Sequence, residues 1–141
     1  MGAMSRIKGA SGERELCKAI FDHLGVRVGP NLEQSRSGGH DLDVHPDESG
    51  PVADALRRYA IEVKRHCKAT PGLITGWWLQ AEEQATRTDR TPALIYRADR
   101  MPWRVVIPLA ALVGDQLRLQ GIEWTAEVGI VAFCALLREG G

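Results

Sequence analysis

Cysteine is scarce in this chain. The 141 residues hold three, Cys17, Cys67 and Cys134. They are too few and too scattered for a disulfide framework or a cysteine-built zinc site, and they point to a reducing, cytoplasmic compartment. Net charge is lacking as well: 18 Lys and Arg balance 18 Asp and Glu. That excludes a uniformly basic nucleic-acid coat but leaves room for a local basic patch. Long apolar runs are also missing. The longest, Val128 to Leu137, is about half a bilayer span, so it reads as a buried helix or strand and no membrane partner is expected. The opening residues lack an apolar targeting segment, and 1–5 read as a disordered or tag-derived start. No internal repeat or low-complexity tract divides the chain.

What is present describes one ordinary globular domain over residues 1–141, with 44% apolar and 26% charged residues. Apolar spacing predicts a helix from about Ser11 to Leu24, with Ser11 as N-cap and Gly25 as stop. A strand opens at Val26 to Val28, and Gln34 to His40 is a polar, glycine-rich loop. Asp41 to His45 and Tyr59 to Arg65 alternate as strands do, with Pro46 to Pro51 as a break between them. A helix follows from about Thr75 to Arg87, then strands at Ala93 to Arg97 and Trp103 to Ile107. Pro108 starts a third helix through Leu119. The tail after Gly121 is ambiguous between helix and strand. The order predicts a mixed α/β domain.

Four features carry chemistry. Glu13 sits at the centre of the first helix's apolar stripe, within about 40° of Cys17, Ile20 and Leu24. A carboxylate there must be paired, protonated or metal-bound, unless it serves only the helix dipole. In Ile61-Glu62-Val63-Lys64 strand alternation puts Glu62 and Lys64 on one face. A carboxylate can hold a hard cation and an amine can orient water or a phosphate oxygen; a solvated ion pair has the same pattern. After Gly38-Gly39, Asp41, Asp43 and His45 share a strand face. His40 and His45 lack metal-ligand spacing and read as surface residues. Lastly, Trp77, Trp78, Ala81 and Ala85 form one helical stripe, read as core, with Gln80 at its edge. Charge is also segregated: five acids and no Lys or Arg from Asp41 to Leu56, then five Lys or Arg and the single acid Glu62 from Arg57 to Lys68. An acidic cluster beside a basic strip suits cation-dependent chemistry on a polyanion.

Taken together, Lys8-Gly9-x-x-Gly12-Glu13-Arg14-Glu15-Leu16, Gly39-x-Asp41, Ile61-Glu62-Val63-Lys64-Arg65 and Gln80-Ala81 resemble the PD-(D/E)XK nuclease superfamily. The likeness is greatest to archaeal-type Holliday junction resolvases and small bacteriophage endonucleases, and covers roughly residues 6 to 110. It implies a restriction-endonuclease-like core, a central mixed β-sheet flanked by helices in α-β-β-β-α-β order. It implies Asp41, Glu62 and the Val63 backbone carbonyl as ligands of Mg²⁺, with Mn²⁺ as a substitute, and Glu13 completing the acidic cluster. Lys64 would position or activate the attacking water, and Gln80 would support Lys64 or the scissile phosphate. His40 stands where the family pattern has proline. The interval between Asp41 and Glu62 is long, with an insertion around Pro46 to Ala55. Asp43 is thus an alternative to Asp41, and the upstream glycine pair favours Asp41.

The function implied is a metal-dependent DNA endonuclease acting on branched or junction DNA, with Arg6, Lys8, Arg14, Arg65 and Lys68 as phosphate contacts. A homodimer is expected, because a junction needs two symmetric cuts, with Val128 to Leu137 and Trp124 as its interface or, equally, as the monomer's own core. If phage-encoded, the protein works in the host cytoplasm. The competing readings are a nuclease-fold module that binds nucleic acid or protein without cutting, and a sequence-reading restriction-type enzyme.

Overall fold

A computed structural model describes residues 2–31 and 40–140, with side chains from Gly9 onward. Helix α1 (Gly2–Leu24) leads into strands β1 (Val28–Pro30) and β2 (Leu42–Val44). Helix α2 (Pro51–Arg57) precedes β3 (Tyr59–Arg65), and α3 (Pro71–Thr88) crosses over to β4 (Thr91–Arg97). Then come β5 (Arg104–Pro108), the short helix α4 (Ala110–Val113), β6 (Thr125–Gly129) and α5 (Ile130–Glu139). The six strands lie side by side in chain order. β3 and β4 run parallel, with Tyr59 opposite Thr91 and Arg65 opposite Arg97, and the other pairs are antiparallel. A parallel pair needs a long crossover, which α3 supplies. This is the mixed sheet flanked by helices that the sequence predicts, with α2 added between the second and third strands.

Two apolar layers follow from strand alternation. Ile61, Val63, Ala93, Ile95, Val105 and Ile107 form one sheet face, packed with Leu16 and Ile20 of α1, Leu56 of α2 and Phe133 of α5. Leu94, Tyr96 and Val106 form the other, under Trp77, Trp78 and Ala81 of α3. In α3 the four buried residues are those of the predicted stripe. The helix starts earlier than predicted. Thr70 caps it by accepting from the Leu73 N–H at 3.2 Å, and Pro71 takes the first turn, where its missing donor costs nothing.

Several boundaries differ from the sequence reading. The first helix runs back to Gly2, through the stretch read as a disordered start, so Ser11 lies inside it instead of capping it. Gly25, at φ 68°, does end it. β1 lies later than Val26 to Val28 and overlaps that span at Val28 alone; Val26 is buried in the core ahead of it. Pro51, read as a strand breaker, opens α2, which buries Ala53, Ala55 and Leu56. The third predicted helix, Pro108 to Leu119, shrinks to α4, because Gly114 at φ 116° interrupts it and Pro108 belongs to β5. The ambiguous tail is both a strand and a helix.

The apolar segment from Val128 to Leu137 supplies Ile130, Phe133, Cys134 and Leu137 to the monomer's core. Fully burying such a side chain stabilises by about 1.5–3 kcal/mol, so α5 is committed within its own chain. Val131 and Leu136 remain exposed on it. No helix among the described residues is long and apolar enough to cross a membrane.

Gly12 fixes how α1 meets β3. A Cβ at this position would come within 2.6 Å of the Arg65 Cβ, the root of that side chain. At Gly9 a Cβ would meet nothing within 4 Å. Alanine is favoured over glycine in a helix by about 1 kcal/mol, whereas overpacking costs about 1–3 kcal/mol. Gly9→Ala is therefore expected to raise the melting temperature and Gly12→Ala to lower it. Thermal scans of the two variants check this, and equal shifts of one sign would contradict the close approach.

Candidate active site

The face of β3 that carries Glu62 and Lys64 is paired in register with Leu94 and Tyr96 of β4. It thus faces α3, opposite the layer that holds Ile61 and Val63. On β2, Leu42 pairs with Ile61 and joins that second layer, which leaves the side chains of Asp41 and Asp43 on the Glu62 side. The Asp41 N–H donates to the Ile61 carbonyl at 2.8 Å, and the Asp41 carbonyl accepts from the Asn31 N–H at 2.8 Å. Asp41 Oδ2 accepts from the Val63 N–H, also at 2.8 Å. A side chain here replaces a rung of the strand ladder and locks Asp41 beside Glu62.

Both carboxylates are buried, Asp41 at 6% and Glu62 at 2% exposure. Lys64 Nζ lies 3.5 Å from Glu62 Oε1. Glu62 Oε2 is buried with no hydrogen-bond partner. Burial, then the charge and hydrogen bonding of Asp41, push the Glu62 carboxyl up to about 8, with Lys64 pulling the other way. Glu13 is half-buried on α1, and burial followed by the Asp41 charge pushes its carboxyl up too. Asp41 is thus the common neighbour of two other acids. Among the described residues no three His, Cys, Asp or Glu side chains close into a ready-made metal cluster; the acids form a tight pair with Glu13 further off.

Asp43 has a different fate. Its Oδ1 accepts from Arg90 Nη1 at 2.8 Å and lies 2.7 Å from His40 Nε2. Burial raises its carboxyl, but the bonds and charges of His40 and Arg90 outweigh that and leave it below the ordinary value. His40, read from sequence as a surface residue, is buried at 3% exposure. Arg90 lies on no recognisable motif, and nothing in the sequence links it to a residue 47 positions earlier. Glu15, on the far side of α1 from Glu13, accepts from Arg97 and, at 3.1 Å, from Trp103 Nε1, anchoring the helix to the end of β4 and to the residue just before β5.

The remaining expected site residues are not drawn together. Gln80 is exposed on α3, and no hydrogen bond among the described residues joins it to Lys64 or Glu62. Arg65 donates to Asp99 Oδ1 at 2.7 Å and to the His66 carbonyl, so its guanidinium is already engaged. Arg14 is exposed and reaches Ser11, and Lys68 is exposed. The side chains of Arg6 and Lys8, and the glycines at 38 and 39, lie outside the described residues.

One strand of the mixed sheet thus carries acid-x-lysine, beside a second buried acid next to the adjacent strand and a third, half-buried acid on a packed helix. The chain belongs to the family described as "Phage putative PDDEXK endonuclease", whose pattern matches residues 4–131. It is also similar to a solved structure of Archaeoglobus fulgidus Hjc, a Holliday junction resolvase from an archaeal hyperthermophile, at 16% identity and a TM-score of 0.45 over 87% of this chain and 84% of that one. No curated protein matches the chain.

Proposed function

We propose that the protein is a divalent-metal-dependent endodeoxyribonuclease whose site is formed by Asp41, Glu62 and Lys64, with Glu13 at its margin. The observation that carries this reading is the Asp41–Glu62 pair, two acids buried side by side with one carboxylate oxygen left without a partner. An ionised carboxylate only accepts hydrogen bonds, so that oxygen calls for a proton or a cation. The donor set is all oxygen, which suits Mg²⁺, with Mn²⁺ able to replace it. Asp41 and Glu62 would hold the ion. The Val63 carbonyl would join them, since a strand residue's C=O points to the same side as its N–H, here toward Asp41. When bound, the cation makes water more acidic and neutralises charge developing on the phosphate. The ammonium of Lys64, held at Glu62, would steady a phosphate oxygen or orient the attacking water.

On the motif resemblance, the preferred substrate is branched DNA, cut on two strands by a homodimer. A panel of labelled junctions, flaps and linear duplexes, incubated with Mg²⁺, Mn²⁺ or chelator, tests the reading. Cleavage is expected only with a cation, and branched DNA should be preferred. Absence of cleavage of any DNA at saturating cation would leave a binding module.

Lys64→Ala is expected to slow cleavage by about 10²-fold or more, the scale of one lost electrostatic contact in a water-poor site. Cation binding, followed by calorimetry, should persist, because an ammonium has no lone pair to donate. Lys64→Arg should rescue poorly, since the guanidinium is larger and stays charged. Loss of cation binding in Lys64→Ala would mean that the lysine holds the acids in place instead.

A further inference from the structure

Away from the carboxylate pair lies a cleft of about 910 Å³ between the C-terminal half of α3, the starts of β3 and β4, and residues 118–120. Arg57, Arg58, Arg90 and Arg118 line it. So does Trp78, 1% exposed, whose indole Nε1 is buried with no hydrogen-bond partner. An indole N–H only donates, as does a guanidinium, so the cleft is rich in donors. Of its two acids, Glu82 is used structurally, accepting from the Gly121 N–H at 2.9 Å and thereby holding residues 118–121 against α3. Asp89 stands at the left-handed end of α3, at φ 53°. Arg57 is spent on the carbonyls of His45 and Glu48, and Arg118 pairs with Asp115 on an exposed surface. Arg58 is exposed, and among the described residues no ion pair is formed by its guanidinium.

The cleft is tied to the site through Arg90. Arg90, which lines the cleft, bonds Asp43, two residues from Asp41, and Arg58 closes α2 immediately before β3, whose one face carries Ala60, Glu62 and Lys64.

We propose that this arginine cleft is a second phosphate-binding site for the DNA cut at the carboxylate pair, taking a backbone phosphate away from the scissile one; the assignment of DNA as substrate rests on the nuclease reading above. Arg58 and Arg118 supply the charge, the Trp78 N–H donates to a phosphate oxygen, and Arg90 ties the cleft floor to the Asp43 strand.

The test measures binding without chemistry. Fluorescence anisotropy of a labelled duplex is recorded in chelator at several salt concentrations, so the result is independent of whether the protein cleaves. Arg58→Ala and Arg118→Ala are each expected to weaken binding about 10-fold and to reduce the slope of log affinity against log salt by about 0.9. Trp78→Phe, which keeps the ring and removes the donor, should weaken binding several-fold with an unchanged circular dichroism spectrum. Arg138→Ala, an arginine on α5 that bonds the His23 carbonyl, should change neither affinity nor slope. Unchanged affinity and slope in both cleft arginine variants would overturn the proposal. So would saturable micromolar binding of a mononucleotide combined with unchanged duplex affinity in Arg58→Ala, which would assign the cleft to a free nucleotide.

Discussion

Glu62→Gln is expected to lose cleavage by about 10³-fold or more and yet to give a more stable metal-free protein at neutral and alkaline pH. Both effects have one origin. Glu62 is buried against Asp41, and its carboxyl is pushed up to about 8 from an ordinary 4.5. Between those values the folded protein holds a proton that the unfolded chain has released. The stability contributed by this group is complete below about 4.5 and is lost as pH rises through about 8. By the alkaline end the loss is of the order of a few kcal/mol. Glutamine cannot ionise, so its variant should lack this decline. Urea unfolding in chelator from pH 5 to pH 9 measures it directly. Adding a divalent cation should flatten the wild-type profile and leave Glu62→Gln unmoved. Parallel pH profiles for the two proteins would show that Glu62 does not carry the buried charge.

Asp41 gives the second large effect, and here alanine and asparagine should part company. Both substitutions remove the negative charge beside Glu62, so both are expected to abolish cleavage and to lower the pH at which Glu62 ionises. Only alanine also removes the acceptor for the Val63 N–H, which sits 2.8 Å from Asp41 Oδ2. A buried backbone donor without a partner costs about 1–3 kcal/mol. Asp41→Ala should therefore unfold at lower denaturant than Asp41→Asn, while DNA binding persists or tightens in both as repulsion of phosphates falls. Normal turnover by Asp41→Asn with cation present would place the cation elsewhere. Equal stability of the two variants would deny the side-chain rung between β2 and β3.

The central strand was legible because its message is local. Tyr59 to Arg65 alternates strictly, and its predicted bounds are the observed ones. The α3 stripe was legible for the same reason, since burial of Trp77, Trp78, Ala81 and Ala85 follows from helical period alone. Where one residue type has two uses, the reading failed. Proline at 51 breaks a strand or begins a helix with equal ease, and the packing of Ala53, Ala55 and Leu56 decides between them. Gly12 was visible as part of a motif, but its reason, the nearness of Arg65, is tertiary. Asp41 and Asp43 were indistinguishable by alternation. They differ only through partners brought from other elements: Val63 for one, Arg90 and His40 for the other. A histidine with its ring buried against an aspartate has no signature in a glycine-rich loop, and so His40 was misread as a surface residue.

The way the sheet ends bears on how the molecule behaves in crowded solution. Its outermost strands are β1 and β6. Strand β1 is three residues long and finishes at Pro30, which has no N–H to offer an incoming chain. Strand β6 sets Glu127 at its middle, held by Tyr96 and Arg104, and closes on Gly129 before turning at once into α5. Short length, proline and a charge turned toward the sheet are the features that keep open edges from templating further strands. The sheet is thereby closed to stacking end on end with its own copies, and polymerisation into continuous ribbons is disfavoured even when the chains are concentrated.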